Sequence, residues 1–189
     1  MFNDNKFHIV PSVRDIKYID KALNLNEEWI LLSCTHIGNL KEITKLCHNK
    51  GKKVLINHEL VGGLGADKVA FKFLKQMYEV DGVMGSSNNK LAYIKKEGLS
   101  AIRRIALIDS MAVDQTMKSL QESKCDLIEL RPGYYAIKYI EKFKNIYPCK
   151  YVAGGFIETK EMVDEIYKAG FCGIMTSSME LWEYNPNKK

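Results

Sequence analysis

The sequence predicts an α/β protein, and specifically a compact barrel of parallel strands and helices, for three reasons. Short apolar runs alternate with amphipathic segments that suit helices. Successive runs begin about 18 to 29 residues apart, which is enough for one strand, one helix and two short loops. The runs are nearly continuous rather than alternating, as expected for strands buried on both faces of a parallel sheet.

Eight apolar runs are predicted to be the strands. They begin near His8, Trp29, Lys53, Gly82, Ser100, Asp126, Tyr151 and Cys172. An open doubly wound sheet usually has five or six strands, so eight units favour a closed (β/α)8 barrel of the TIM type. We interpret residues 1–189 as a single domain, because no linker, low-complexity tract or change of composition interrupts the pattern.

Helix-start and helix-stop residues separate these runs. Asn39 and Glu42 resemble a capping box at the start of the second helix, and Gly51 follows its end. Thr159 can cap the seventh helix, which Gly170 terminates. Further signals of the same kind are Gly98, Ser110 and Pro148. This punctuation supports a helix between consecutive strands.

The composition is that of an ordinary soluble protein, with 46% hydrophobic and 27% charged residues in 189. The 28 basic and 23 acidic residues leave a net charge of +5, which permits an anionic partner without proving one. Five scattered cysteines without a C-x-x-C pair predict reduced thiols. No apolar run approaches the ~18–20 residues of a membrane span and the first residues are polar, so a cytoplasmic protein is expected.

The strongest functional signal follows the last two strands, at the end of the barrel where ligands bind. Gly154 and Gly155 allow backbone N–H groups to approach an anion. Thr176, Ser177 and Ser178 offer hydroxyls and the N-terminus of a short helix. Either motif alone could simply form a turn or a helix cap. Together they predict a phosphate-binding site.

Charged residues at other strand ends are expected near this site. Glu129 could accept hydrogen bonds from a polyol or act as a base. It could instead be a buried acid paired with Arg104 or Arg14. These arginines could surround an anion, or they could neutralise Glu129 and Asp15. The sequence leaves these alternatives open.

Neither a metal centre nor a lysine-based aldolase is favoured. His36, His58 and Glu59 fall at adjacent strand ends, but the H-x-H type of spacing is absent. No strand has a lysine at its carboxyl end, where a Schiff base would form, and Lys150 precedes its strand. We therefore predict no metal, no cofactor and no catalytic residue.

A weaker signal for nucleic acid lies in the sixth helix, where Lys138, Lys142 and Lys144 alternate with tyrosines. Lysines beside aromatic rings can bind unpaired nucleotides. The simpler interpretation is a solvated helix face with partly buried tyrosines, and the sequence alone favours it.

Several segments together resemble a known family. They are residues 11–15, 51–54, 60–64, 107–110 with Arg104, 129–133, 153–159 and 176–182. The most specific are A-G-G-x-I-x-T at 153–159 and T-S-S-x-x-L-W at 176–182. Over residues 8–182 the chain resembles the glycerol uptake operon antiterminators, which are glycerol-3-phosphate-responsive regulators of bacterial glycerol genes.

The resemblance implies a barrel without established catalysis, with glycerol 3-phosphate as its effector. The bound form would act on the leader of a messenger RNA and prevent premature termination of transcription. The resemblance implies these pocket residues: Arg14, Arg104, Glu129, Gly154, Gly155, Thr176, Ser177 and Ser178. One alternative is a small phosphosugar isomerase or lyase using Glu129 or Glu59 as its base, and another is a phosphate-binding barrel with no RNA role. The oligomeric state is not readable, and a homo-oligomer is compatible with the sequence.

Four places depart from the family's pattern. Asn57 begins the segment N-H-E-L where relatives often have His-x-Asp-Leu, and the segment around Ser87 lacks a cation. Glu158 replaces a common arginine, and Arg131 replaces a usually apolar residue. The phosphate motifs are unaffected, so the departures concern the organic part of the ligand.

Overall fold

The computed structural model describes residues 1–2 and 4–187, which form a closed barrel of eight parallel strands. The strands are β1 (His8–Val13), β2 (Trp29–Leu32), β3 (Lys53–Asn57), β4 (Gly82–Gly85), β5 (Ser100–Ala106), β6 (Leu127–Arg131), β7 (Tyr151–Gly154) and β8 (Gly173–Thr176). Each strand pairs with the next along the chain, and β8 closes against β1. The predicted (β/α)8 fold is confirmed.

A helix follows each of the first seven strands. The helices are α1 (Ile19–Leu23), α2 (Leu40–Asn49), α3 (Lys68–Gln76), α4 (Asn88–Lys96), α5 (Ser110–Leu120), α6 (Gly133–Ile146) and α7 (Lys160–Lys168). After β8 the described chain has only a single 3₁₀ turn, Met179–Leu181, in place of an eighth helix. This short element helps eight units fit into a small protein.

The barrel interior is filled by apolar side chains from every strand. These side chains are Val10, Trp29, Leu31, Leu55, Met84, Ile102, Leu127, Val152 and Met175. Neighbouring strand residues such as Ile30, Val54 and Ile128 face outward and pack against the helices. Both faces of the sheet are therefore buried, which explains the continuous apolar runs.

The helix starts agree only in part with the sequence prediction. Thr159 caps α7, since its hydroxyl accepts a hydrogen bond from the N–H of Met162 at 3.2 Å. The capping box predicted for α2 is wrong. The Asn39 side chain instead accepts from the N–H of His36 at 2.9 Å, and its backbone, with φ of −121° and ψ of −14°, lacks the extended conformation of a capping residue.

The thiols are all free. Burial raises the pKa of Cys47, Cys125 and Cys172 to about 11 in each case, so these thiols stay protonated and unreactive at neutral pH. In the part of the chain that the structure describes, no helix is long and apolar enough to cross a bilayer.

The amino end of the barrel is closed by Phe2, which packs against the interior side chains. Its ring stacks on the imidazole of His8, with 4.1 Å between centroids. The Lys150 ammonium donates to the carbonyl oxygens of Phe2 and Asp4. The imidazole lies 3.1 Å from Oε2 of Glu27 and 2.7 Å from Oδ1 of Asp4, so a charged His8 is stabilised in the folded state.

These contacts predict a pH dependence of stability. Burial opposes protonation of His8, but Glu27 and Asp4 outweigh it and the pKa of His8 is raised. The stabilisation should be complete below about pH 6.5, the ordinary histidine pKa, and should be lost as pH rises through the higher folded value. Urea unfolding of wild type and His8→Phe, which keeps a ring against Phe2, should differ more at pH 6 than at pH 9. A difference independent of pH would contradict this assignment.

Candidate functional site

A cavity of about 520 Å³ opens at the carboxyl end of the strands. It lies where (β/α)8 barrels place their working residues. Seven of the eight predicted pocket residues line it: Arg14, Arg104, Glu129, Gly155, Thr176, Ser177 and Ser178. Strand geometry explains part of this convergence, because Arg104, Glu129 and Ser177 each lie two positions beyond an interior apolar residue and so share its face.

The floor of the cavity is an ion pair between adjacent strands. The register of β5 with β6 sets Arg104 opposite Glu129. Nε of Arg104 donates to Oε2 of Glu129 at 2.5 Å, and Nη2 lies 3.5 Å from Oε1. Glu129 is only 2% exposed. Of the alternatives left open by the sequence, the buried acid paired with Arg104 is the one observed, and both partners still face the cavity.

Gly154 has a different position from the one predicted. This residue does not line the cavity but lies beside the carboxylate of Glu129. A Cβ at Gly154 would overlap Oε1 of Glu129 and lie 2.9 Å from its Cδ. Glycine is therefore needed here to leave room for the Glu129 side chain.

Gly155 lines the cavity in a conformation that favours glycine, with φ of 75°. A Cβ here would lie 3.1 Å from Nη2 of Arg131. The carbonyl of Gly155 accepts a hydrogen bond from the N–H of Gly133 at 3.0 Å, which ties the β7–α7 loop to the start of α6. The backbone of Gly155 and the guanidinium of Arg131 therefore lie close together at this wall of the cavity.

The hydroxyls after β8 are less available than the sequence suggested. Thr176 donates to the carbonyl of Ile157 at 2.8 Å and accepts from the N–H of Ser178 at 3.0 Å. The Ser178 hydroxyl donates to the same Ile157 carbonyl at 3.1 Å. These two hydroxyls hold the β7 and β8 loops together. Within the described residues, Ser177 is the one of these three whose hydroxyl has no protein hydrogen-bond partner. The 3₁₀ segment that follows it is a single turn, so its helix dipole is small.

Arg131 was missed as a pocket residue. Its guanidinium faces the cavity beside Gly155, and within the described residues no carboxylate lies within 4.0 Å of it or of Arg14. A signal was present in the sequence, because Arg131 comes two residues after Glu129 in the same strand and shares its face. Three arginines and two carboxylates, Glu129 and Glu158, line the cavity, and only Arg104 is paired.

The histidines at neighbouring strand ends lie apart from this cavity. The His58 side chain is 1% exposed and packs edge-on against Phe71. Burial lowers the pKa of His58, with Lys90 adding to the effect. Glu59 accepts from the Ser86 hydroxyl at 2.7 Å and does not line the cavity. In residues 1–2 and 4–187 no group of three or more His, Cys, Asp or Glu side chains could hold a metal ion.

The three lysines singled out on α6 differ in their surroundings. The Lys138 ammonium lies 4.4 Å from the centroid of the Tyr134 ring, and that of Lys142 lies 5.4 Å from Tyr139. Both lysines are exposed. Lys144 is half-buried, its ammonium lies 3.7 Å from Oε1 of Glu141, and it donates to the carbonyl of Ala169, the residue after α7. Lys144 is thus less available to a partner than the other two.

Comparison with known proteins connects this barrel to a family. Residues 9–182 match the family described as Glycerol-3-phosphate responsive antiterminator. The chain belongs to this family. The crystal structure of a glycerol uptake operon antiterminator regulatory protein from Listeria monocytogenes has a TM-score of 0.90 and 32% identity, covering 97% of this chain and 98% of that one.

Other similar proteins also match nearly the whole chain. An antiterminator-related protein from Thermotoga maritima has a TM-score of 0.84 and 29% identity, covering 95% of this chain and 99% of that one. The uncharacterized protein YgcP of Escherichia coli is 25% identical over 92% of this chain and 91% of its own length. An aldolase, QR15, has a TM-score of 0.70 at 15% identity over 95% of this chain and 93% of that one, which shows a shared fold alone.

Proposed function

We propose that this protein is a cytoplasmic, glycerol-3-phosphate-responsive antiterminator. It binds glycerol 3-phosphate in the cavity, and the bound form binds the leader of a messenger RNA for glycerol metabolism and prevents premature termination. The observation that carries the proposal is a cavity with surplus arginines and the Gly155 backbone, at the phosphate-binding position of the barrel, in a chain of this family.

The cavity has two chemically different sides. Gly155, Ser177 and the unpaired Arg131 form a cationic side suited to a phosphate dianion. Glu129 lies deeper and would repel a phosphate, but its oxygens can accept hydrogen bonds from the hydroxyls of glycerol. Ser12 and Ser33, whose hydroxyls are 3.1 Å apart, extend this polar lining. A small polyol monophosphate satisfies both sides at once.

Replacing Arg131 with leucine should weaken glycerol 3-phosphate binding about 10- to 100-fold, because a charge-assisted hydrogen bond contributes about 1.5–3 kcal/mol. Isothermal titration calorimetry measures the change. Lys41→Leu removes an exposed cation on α2, away from the cavity, and should leave the affinity unchanged. An unchanged affinity in Arg131→Leu would contradict the placement of the phosphate beside Arg131.

The regulatory proposal is tested by titrating the protein with glycerol-operon leader RNA, with and without glycerol 3-phosphate. Ligand should tighten RNA binding by roughly 5- to 150-fold, and RNA should tighten ligand binding by the same factor, since coupling is reciprocal. RNA affinity should fall as salt rises, because lysines displace counterions from the phosphates. Glycerol and inorganic phosphate, tested separately, serve as controls. RNA binding that ligand does not change would contradict the proposal.

A second candidate, a phosphosugar isomerase or lyase, is favoured by one observation: a buried glutamate faces the same cavity. Glu129 is held by Arg104, however, and neither a lysine nor a histidine lines the cavity in the described chain. An enzyme would turn over small sugar phosphates and would lose that activity in Glu129→Gln. Turnover with these properties, together with RNA affinity indifferent to ligand, would replace the regulatory proposal.

A further inference from the structure

Three exposed aromatic side chains lie on neighbouring segments, and we refer to them as the aromatic rim: Tyr134 and Tyr135 at the start of α6, and Phe156 in the β7–α7 loop. They are 59%, 46% and 79% exposed, respectively. The N–H of Gly133 donates a hydrogen bond to the carbonyl of Gly155. Tyr134 directly follows Gly133 and Phe156 directly follows Gly155, so this bond brings the two segments together. Phe156 also lines the cavity, so the rim and the ligand site share one loop.

Phe156 is difficult to explain by folding. Its φ of 55° lies in the left-handed region. Glycine adopts this conformation at no steric cost, whereas a residue with a side chain is strained in it. The ring is almost fully exposed, so burial against the rest of the chain does not offset this strain. A large apolar ring kept in an unfavourable conformation and presented to solvent indicates a contact outside the chain.

A lysine beside the rim, Lys138, indicates the chemistry of the partner that contacts it. The Lys138 ammonium lies 4.4 Å from the ring centroid of Tyr134 and 5.7 Å from that of Tyr135. No carboxylate in the described chain lies within 4.0 Å of this ammonium group, so its charge is available to a partner. A partner with flat aromatic groups and a negatively charged backbone complements both features.

We propose that the aromatic rim is the surface on which unpaired bases of the leader RNA stack, with Lys138 against the phosphate backbone. This inference rests on the proposed RNA-binding function and adds its location. A second copy of the chain fits less well, because a two-fold contact of rim on rim would bring the unpaired lysines together. The shared loop also gives a route for coupling, since a ligand that immobilises Gly155 immobilises the adjacent Phe156.

Replacing both Tyr134 and Tyr135 with alanine should weaken leader RNA binding about 5- to 150-fold, the loss expected for one unstacked base. Neither side chain lines the cavity, so affinity for glycerol 3-phosphate in the absence of RNA should stay within twofold. Lys138→Gln should lower the slope of log K against log salt by about 0.7, the contribution of one phosphate contact to a single strand. Phe73→Ala, which removes an aromatic side chain 43% exposed on α3, is the matched control and should leave RNA binding unchanged.

Photocrosslinking supplies an independent measurement that does not depend on variants. Leader RNA containing 5-iodouridine should crosslink to peptides that contain the rim residues. Wild-type protein that binds no leader RNA would overturn the proposed function and this inference together. Wild type that binds RNA while the tyrosine variant binds equally well would overturn the rim alone. A change from dimer to monomer in sedimentation, with RNA affinity preserved, would show that a second copy covers the rim and would also overturn the inference.

Discussion

Glycerol 3-phosphate binding is expected to disappear when Gly155 is replaced by valine. At φ of 75° any L-residue is strained by roughly 1–2 kcal/mol, and valine more than most. The new side chain would also meet the guanidinium of Arg131, which a Cβ alone approaches to 3.1 Å. The strain lowers the stability of the fold. Affinity falls for a different reason: the displaced guanidinium loses its charge-assisted contact with the phosphate, about 1.5–3 kcal/mol or roughly 10- to 100-fold, and the β-branched side chain occupies the anion's place, which together should abolish measurable binding. Calorimetric titration measures it directly.

The control for this prediction is Gly51→Val. Gly51 has nearly the same φ, 70°, but apart from its two chain neighbours no residue has an atom within 4 Å of a Cβ built there. It follows α2 at the opposite end of the β/α unit, so the variant should lose a similar amount of stability and keep its ligand affinity. If Gly155→Val binds glycerol 3-phosphate as tightly as wild type, the anion site lies elsewhere in the molecule.

The barrel was predictable because each of its units repeats the same local physics. Six of the eight strands begin at the residue where the apolar run begins, and β6 and β8 begin one residue later, at Leu127 and Gly173. The side chains of a continuous apolar run are buried only when the sheet is covered on both faces. The spacing between the runs leaves room for one helix after each strand. Eight such units leave few alternatives to closure.

The details of the site depend on information that a sequence does not display. Gly154 and Gly155 are adjacent in sequence, yet one makes room for Glu129 and the other lines the cavity, because β7 ends at Gly154 and the chain turns at Gly155, where φ is 75°. The Thr176 and Ser178 hydroxyls are occupied by the Ile157 carbonyl, a partner 19 and 21 residues away that only the packing of two loops brings into reach. Arg131 could have been found by counting two residues on from Glu129.

Breaking the ion pair between Arg104 and Glu129 should cause the largest single loss of stability at the site. Replacing Arg104 with methionine leaves the nearly inaccessible carboxylate of Glu129 without its partner, and removing one member of a buried pair costs about 3–5 kcal/mol. Urea denaturation at pH 7 should show this loss. Lys53→Met breaks an exposed pair with Glu28 and should change stability by at most about 1 kcal/mol.

The double variant Arg104→Met with Glu129→Leu separates the pair's role in stability from its role in binding. An apolar replacement of both partners removes the unpaired charge, so most of the stability lost in Arg104→Met should return. Affinity for glycerol 3-phosphate should not return with it, because the oxygens that accept the ligand's hydroxyls are gone. A double variant that is stable and binds normally would make the pair purely structural. An Arg104→Met protein as stable as wild type would mean that water already reaches the carboxylate. If the double variant regains stability but not affinity, the buried pair serves ligand binding and is not needed for the stability of the barrel.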